Sequence, residues 1–398
     1  MNDKWCAIIF NISAFILMVM PPYSLYYLPI ARIILLLIPL ALPIINQHKI
    51  SRNNFNNAVI YFVSWFLIYS VSYIANNRIP ETSYFLYTFY GTAFLLMKDT
   101  VQLKTFQIFV RVFAAILGLG IIEYIFFMQG LYIPIGITTR AGSIDEYDLI
   151  QCFFNFFSLQ DGDVVRFQSL AEEPGLIGTL CAFLLFVINS KEYKIAFWIF
   201  IIAGILTLSL AFVVLFLFYI AVSVVQNKRS FVIALACVAC LFVVMTIFKD
   251  TEEVQSFTVR LEKGHDADNR TSHQFDRYLN EMMESSDVWF GKGYGSIKDL
   301  YIIDGGNAGA KVLFYQIGIV GVVLLFVVYT YLIFQRKGKN LVSLFFLIAF
   351  WASFYQRETI SVPYNVIVFF APLSIRKEYN YLSNENIRNH PSIESRRC

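Results

Sequence analysis

The chain alternates long apolar blocks with short polar joints. Apolar runs long enough, or nearly so, for a bilayer core fall at about residues 5–20, 28–45, 58–75, 84–97, 105–127, 175–189, 195–225, 231–248, 309–334, 341–355 and 360–373. The block 195–225 is too long for one crossing. As a single helix it would span about 46 Å, against a hydrocarbon core of about 30 Å. Two shorter helices folding back near Thr207-Leu208-Ser209 are expected instead. The pattern therefore predicts an all-α polytopic membrane protein of about twelve transmembrane helices.

Charge tests that division independently. With twelve spans and a cytoplasmic N-terminus, the inside joints hold Lys49 and Arg52, Lys98 and Lys104, Lys191 and Lys194, Lys228 and Arg229, Arg336, Lys337 and Lys339, and Arg376 and Lys377. Short outside joints hold only Arg78 and Arg357. Reading 195–225 as one span would put the later basic joints outside, against the positive-inside rule. The expected organisation is spans one to five over 1–127, a long extracytoplasmic loop over 128–174, and spans six to nine over 175–248. A second long extracytoplasmic loop follows over 249–308, then spans ten to twelve over 309–375 and a cytoplasmic tail over 376–398. Both termini are expected on the cytoplasmic side of the membrane.

Composition agrees. Apolar residues make up 58% of the 398 and charged residues 15%, where a soluble domain carries about 25%. The net charge of +3 is too small and too dispersed for a nucleic-acid partner. Trp5–Met20 resembles a secretory leader, but Pro21-Pro22 leads straight to another apolar block and no small-residue cleavage pattern intervenes. It is expected to stay as the first helix. The six cysteines form no disulfide framework, and Cys237-Val-Ala-Cys240 lies mid-block without a nearby histidine. His265-Asp266-Ala-Asp268 lacks a second close histidine, so no metal and no cofactor are expected.

The polar chemistry gathers in the long loops. From Arg270, a helical projection puts His273, Arg277 and Glu281 on one side and Phe275, Tyr278, Leu279 and Met282 on the other, with Asn269 or Thr271 as N-cap. Such a helix either lies on the membrane with its charges solvated or presents them to a ligand. The segment Arg166-Phe-Gln-Ser-Leu-Ala-Glu-Glu-Pro-Gly-Leu-Ile-Gly178 sets an arginine and two carboxylates at the mouth of the sixth span. It reads equally as an interfacial anchor, with Glu172 and Glu173 favouring a helix N-terminus, or as a functional cluster. Arg260, Glu262 and Lys263 read as a solvated charge run, and Glu123 as an internal structural polar group.

The string Arg166-x-x-Ser169-x-x-x-Glu173-Pro174 resembles the first signature of the O-antigen polymerase and ligase superfamily. Gly291-Lys-Gly-Tyr-Gly-Ser296, then Asp304-Gly-Gly-Asn307 and Gln316-Ile-Gly-Ile-Val-Gly321, resemble its second. The likeness covers about residues 160–325. At Thr207-Leu-Ser209 the superfamily often carries a Thr-x-Ser-Arg turn, and here Leu210 stands in place of the arginine. A nucleotide-binding reading of the glycines fails, because no strand–helix unit frames them; a turn closing the loop onto the tenth span is expected.

The resemblance implies a GT-C-like membrane glycosyltransferase. It would polymerise undecaprenyl-pyrophosphate-linked oligosaccharide repeats into O-antigen or capsular polysaccharide, with inversion and without a metal. Membrane lipid and a chain-length regulator are the implied partners. Departing pyrophosphate needs cations, for which Arg166, Arg270 and Arg277 are the candidates. The attacking hydroxyl needs a base, for which Glu173 and His273 are the candidates. A ligase of the same fold and a non-enzymatic sugar or lipid transporter are the alternatives; Glu173-Pro174 favours the polymerase.

Overall fold

The computed structural model describes residues 2–18, 29–45, 50–76, 82–131, 134–139, 148–158, 165–171, 173–226, 272–300, 309–338, 340–354 and 360–372. The expected ninth span (231–248), Arg270, the 260–268 charge run, Glu172, Asp304–Asn307 and the tail lie outside them.

The described chain is mostly helical. In order come α1 (Asp3–Met18), α2 (Pro29–Ile45), α3 (Arg52–Asn76), α4 (Thr82–Leu96), α5 (Asp99–Met128), α6 (Pro174–Val187), α7 (Lys194–Leu206) and α8 (Leu210–Gln226). After them come α9 (His273–Met283), α10 (Ala310–Lys337), α11 (Leu341–Phe354) and α12 (Pro363–Phe370). Three of these, α3, α5 and α10, are long and apolar enough to cross a membrane. The block 195–225 is indeed two helices, α7 and α8, with Thr207-Leu208-Ser209 between them.

The loop after α5 departs from an all-α reading. It builds a small antiparallel sheet, β1 (Gly136–Thr139), β2 (Asp148–Gln151) and β3 (Phe156–Ser158), in the order β1-β2-β3. Gly136 pairs with Gln151 and Gln151 in turn with Phe156. Strands this short leave little period-two signal between two apolar helices.

Helix ends sort into two groups. At one end Arg336, only 6% exposed, donates to Phe370 O (3.1 Å), Asn54 Oδ1 (3.0 Å), Asp99 Oδ1 (2.9 Å) and Gln102 Oε1. It thereby joins the starts of α3 and α5 to the ends of α10 and α12. Beside it, buried Lys337 donates to Val368 O at 2.8 Å and stands 4.7 Å from the Phe346 ring. Thr100 donates to Asp3, which adds the start of α1. Gln102 Nε2 donates to Leu95 O and Met97 O, which adds the end of α4. Along the chain α3, α4 and α5 therefore alternate in direction, while α1 runs parallel to α5 and α10 to α12. Mid-bundle, Tyr90 Oη donates to Phe10 O and Asn11 Nδ2 to Thr105 O, so polar side chains mate α1 with α4 and α5.

Candidate active site

At the opposite end, the segment 165–171 is laced to three elements. Tyr124 Oη, near the end of α5, donates to Val165 O at 2.9 Å. The Phe167 ring seats against Gly120, where an added Cβ would stand 3.2 Å from it. Phe156 N donates to Ser169 O at 3.1 Å, and Ser169 Oγ to Phe154 O at 3.2 Å, tying the segment to the sheet. Glu123 holds that sheet down: its carboxylate accepts from Phe153 N (2.8 Å), Phe154 N (2.8 Å) and Asn155 Nδ2 (3.0 Å). This is the structural role expected of it.

The third tie is to the α7–α8 turn. A helix end leaves its last carbonyls without intrahelical donors, which is costly away from water. Here they are all met. Thr207 N serves Ala203 O, Thr207 Oγ1 serves Gly204 O, and Leu208 N serves Ile205 O. Phe167 N then serves Leu206 O (3.1 Å), Arg166 Nε serves Thr207 O (2.9 Å) and Arg166 Nη2 serves Leu208 O (3.4 Å). Gly178 completes the clasp, since a Cβ there would stand 2.8 Å from Thr207 Oγ1 and 2.9 Å from Ser209 Cβ. The two segments singled out separately in the sequence, 166–178 and 207–209, are thus one built unit.

That unit is strained. Among the described residues, Ser169 (φ 50°) and Leu208 (φ 48°) are the non-glycine residues with positive φ, and they lie on the two sides of the clasp. Such conformations cost of order 1–3 kcal/mol each and cluster at functional sites. Glu173 follows as the N-cap of α6, half-buried and in extended conformation, with Pro174 fixing the first helical position. Glu173 therefore sits where the helix dipole favours a carboxylate, and its side chain makes no cap hydrogen bond.

The second signature forms a different joint. Helix α10 breaks at Gly318 (φ 63°, ψ −173°), and the glycine turn docks into the break. Lys292 N and Gly293 N donate to Tyr315 O (2.8 Å) and Gln316 O (2.9 Å), while Val320 N donates to Trp289 O (3.0 Å). Asn76 Nδ2 holds Gly291 O at 2.9 Å and Ser72 Oγ accepts from Tyr294 N at 3.2 Å, so the end of α3 grips the same turn. The turn closes onto α10, the helix of the expected tenth span.

Helix α9 has the two faces read from its sequence. His273, Arg277 and Glu281 are exposed, while Phe275, Leu279 and Met282 are buried. Two details differ. Ser272, not Asn269 or Thr271, is the N-cap, accepting from Phe275 N at 3.1 Å. The apolar face packs on Val312 and Tyr315 of α10 rather than being left for lipid, and Lys311 pairs with Asp276 at 2.9 Å. Arg277 stands 4.0 Å from Glu281 with both side chains largely exposed.

No protein family, curated protein or solved structure matches the chain. Of the candidates, the structure clasps Arg166 on the α7–α8 turn, puts Glu173 at the N-cap of α6, and sets His273 and Arg277 on the exposed face of α9. The turn carbonyls that Arg166 serves carry no sequence signal, because any residue supplies a carbonyl. Gln168 was also missed: it is 4% exposed and its Nε2 has no hydrogen-bond partner among the described residues, yet nothing in the pattern separates it from an ordinary interfacial glutamine.

Proposed function

We propose that the chain is a twelve-span inner-membrane glycosyltransferase that polymerises undecaprenyl-pyrophosphate-linked oligosaccharide repeats outside the cytoplasm. The observation that carries the reading is the joining of Arg166–Gly178 with the 207–209 turn into one strained unit at the end of the bundle opposite Arg336. The glycine turn docks at that same end, through Asn76. In this reading the Arg336 end faces the cytoplasm, with the basic joints.

Each residue then has a task. Glu173, at the N-cap of α6 beside the clasp, serves as base toward the attacking sugar hydroxyl. His273 is the second candidate base. Arg277 and Arg270 supply cations to the departing pyrophosphate, to which a guanidinium fork donates in pairs. A transporter would use a helix break to line an ion or substrate cavity. The break at Gly318 instead has its freed carbonyls and amide filled by the glycine turn, which favours the enzyme.

The test is a glycan ladder from a clean deletion, complemented by the intact gene. Collapse to a core bearing one repeat is the expected result. A bare core with polymer retained on the carrier lipid would replace the polymerase by a ligase, and an unchanged ladder would remove both. Reporter tags at Gln47, Asn227 and Lys339 should read cytoplasm, and tags at Gly142 and Gly264 the outside; a cytoplasmic Gly264 would put the site in the wrong compartment.

A further inference from the structure

Helix α7 has 13 residues, so it rises about 20 Å, roughly 10 Å short of a hydrocarbon core of about 30 Å. If Lys194 marks the near surface, Thr207 and Leu208 stop inside the far leaflet. Water at that depth is scarce, and each unserved carbonyl there costs several kcal/mol. Yet the chain makes a turn at this point, with Leu208 in a left-handed conformation.

We infer that Arg166 is a positioning residue that acts through this turn. Its guanidinium braces the Thr207 and Leu208 carbonyls and so holds the Ser169–Glu173 segment, and with it the candidate base, recessed within the outer leaflet. The inference rests on the membrane glycosyltransferase reading and gives Arg166 a different task from the one the resemblance implies: it braces the turn rather than meeting the departing pyrophosphate. Three observations support the brace. Residues 166 and 167 serve three successive carbonyls, 206 to 208. The charge sits at the C-terminus of α7, where the helix dipole favours a cation. The turn that Arg166 serves is itself tightly seated, since a Cβ on Gly178 would stand 2.8 Å from Thr207 Oγ1 and 2.9 Å from Ser209 Cβ.

The same geometry explains the strain. Leu208 pays a conformational cost that a glycine would not, and the braced carbonyls keep it there. A lysine at 166 could serve one carbonyl but not reproduce the fork over two.

Hydrogen exchange of the full chain in lipid nanodiscs tests this, compared with the polymer made by the same variants in cells. Arg166→Ala should speed exchange over 165–171 and 206–213 by about tenfold or more, the order expected when two charge-assisted hydrogen bonds are lost. The glycine joint at 289–296 should be unchanged. Arg166→Lys, the gentler variant, should fall between. Adding Leu208→Gly to Arg166→Lys should recover part of both the protection and the polymer, which a substrate-binding role does not predict. Polymer lost in Arg166→Ala with parental protection at the turn would overturn the brace and make Arg166 a direct ligand. So would a Leu208→Gly addition that restores nothing. An unchanged ladder on gene deletion would instead remove the polymerase reading, and the exchange data would still decide the brace.

Discussion

The helix break at Gly318 and the reversal at Leu208 solve the same problem in opposite ways. At Gly318 the repair is backbone to backbone. Gly291 and Gly318 stand face to face, and a Cβ on Gly318 would come within 2.5 Å of Gly291 N. Gly291, Gly293, Gly295 and Gly318 all take positive φ at no steric cost. At Leu208 a side chain does the repair, and the residue in the left-handed conformation is not a glycine. The first joint is relaxed and self-sufficient. The second depends on one guanidinium and stores strain. Of these two solutions at one end of the bundle only the second is strained, the kind of place where strain more often serves geometry than stability.

Opposite substitutions break that comparison most directly. Gly318→Ala and Gly291→Ala should each cost about 3 kcal/mol or more, combining a left-handed alanine with backbone overlap. The measurement is thermal or chemical unfolding in detergent, and normal melting of both variants would dissolve the contrast. Next in size is Glu123→Ala. It leaves the Phe153 and Phe154 amides unserved and takes from Asn155 Nδ2 one of its two acceptors, and should destabilise by about 2–3 kcal/mol while loosening the 165–171 segment. Exchange confined to the sheet, with 165–171 still protected, would show that the clasp does not need it.

The sign reverses at the other joint. Leu208→Gly should stabilise the protein by roughly 1 kcal/mol, less the entropy that glycine adds to the unfolded chain. A destabilised variant would mean that the Leu208 side chain matters more to packing than its backbone costs. Smallest is Arg277→Ala: its exposed pair with Glu281 is worth at most about 0.5 kcal/mol, so stability should not move. Polymer should nonetheless fall if Arg277 meets pyrophosphate. A full ladder from this variant would leave the residue a solvated surface charge.

Much of this was legible in the residues. Apolar blocks gave the helices, and a length too great for one crossing gave the reversal at Thr207-Leu208-Ser209. Glycines at 291, 293 and 295 announced a turn. The faces of α9 followed from spacing, but its apolar face could equally have met lipid, and only the fold showed Tyr315 and Val312 against it. Arg336 illustrates the limit. A cation at a block's edge satisfies the positive-inside rule whether it sits among headgroups or is buried on Asn54, Asp99 and Gln102, and sequence spacing does not distinguish the two. Arg166 is similar, since its partners are carbonyls forty residues away in the chain.

The Arg336 cluster also sets an order of events during synthesis. Its side-chain acceptors come from residues 54, 99 and 102, which leave the ribosome long before α10 does. The guanidinium therefore enters the membrane with a polar berth already assembled. The Phe370 carbonyl is made after α10 and closes the last side of that berth. Completion of this end of the bundle thus waits for α12, and a nascent chain stopped before it would leave Arg336 Nε without its acceptor and Lys337 without the Val368 carbonyl.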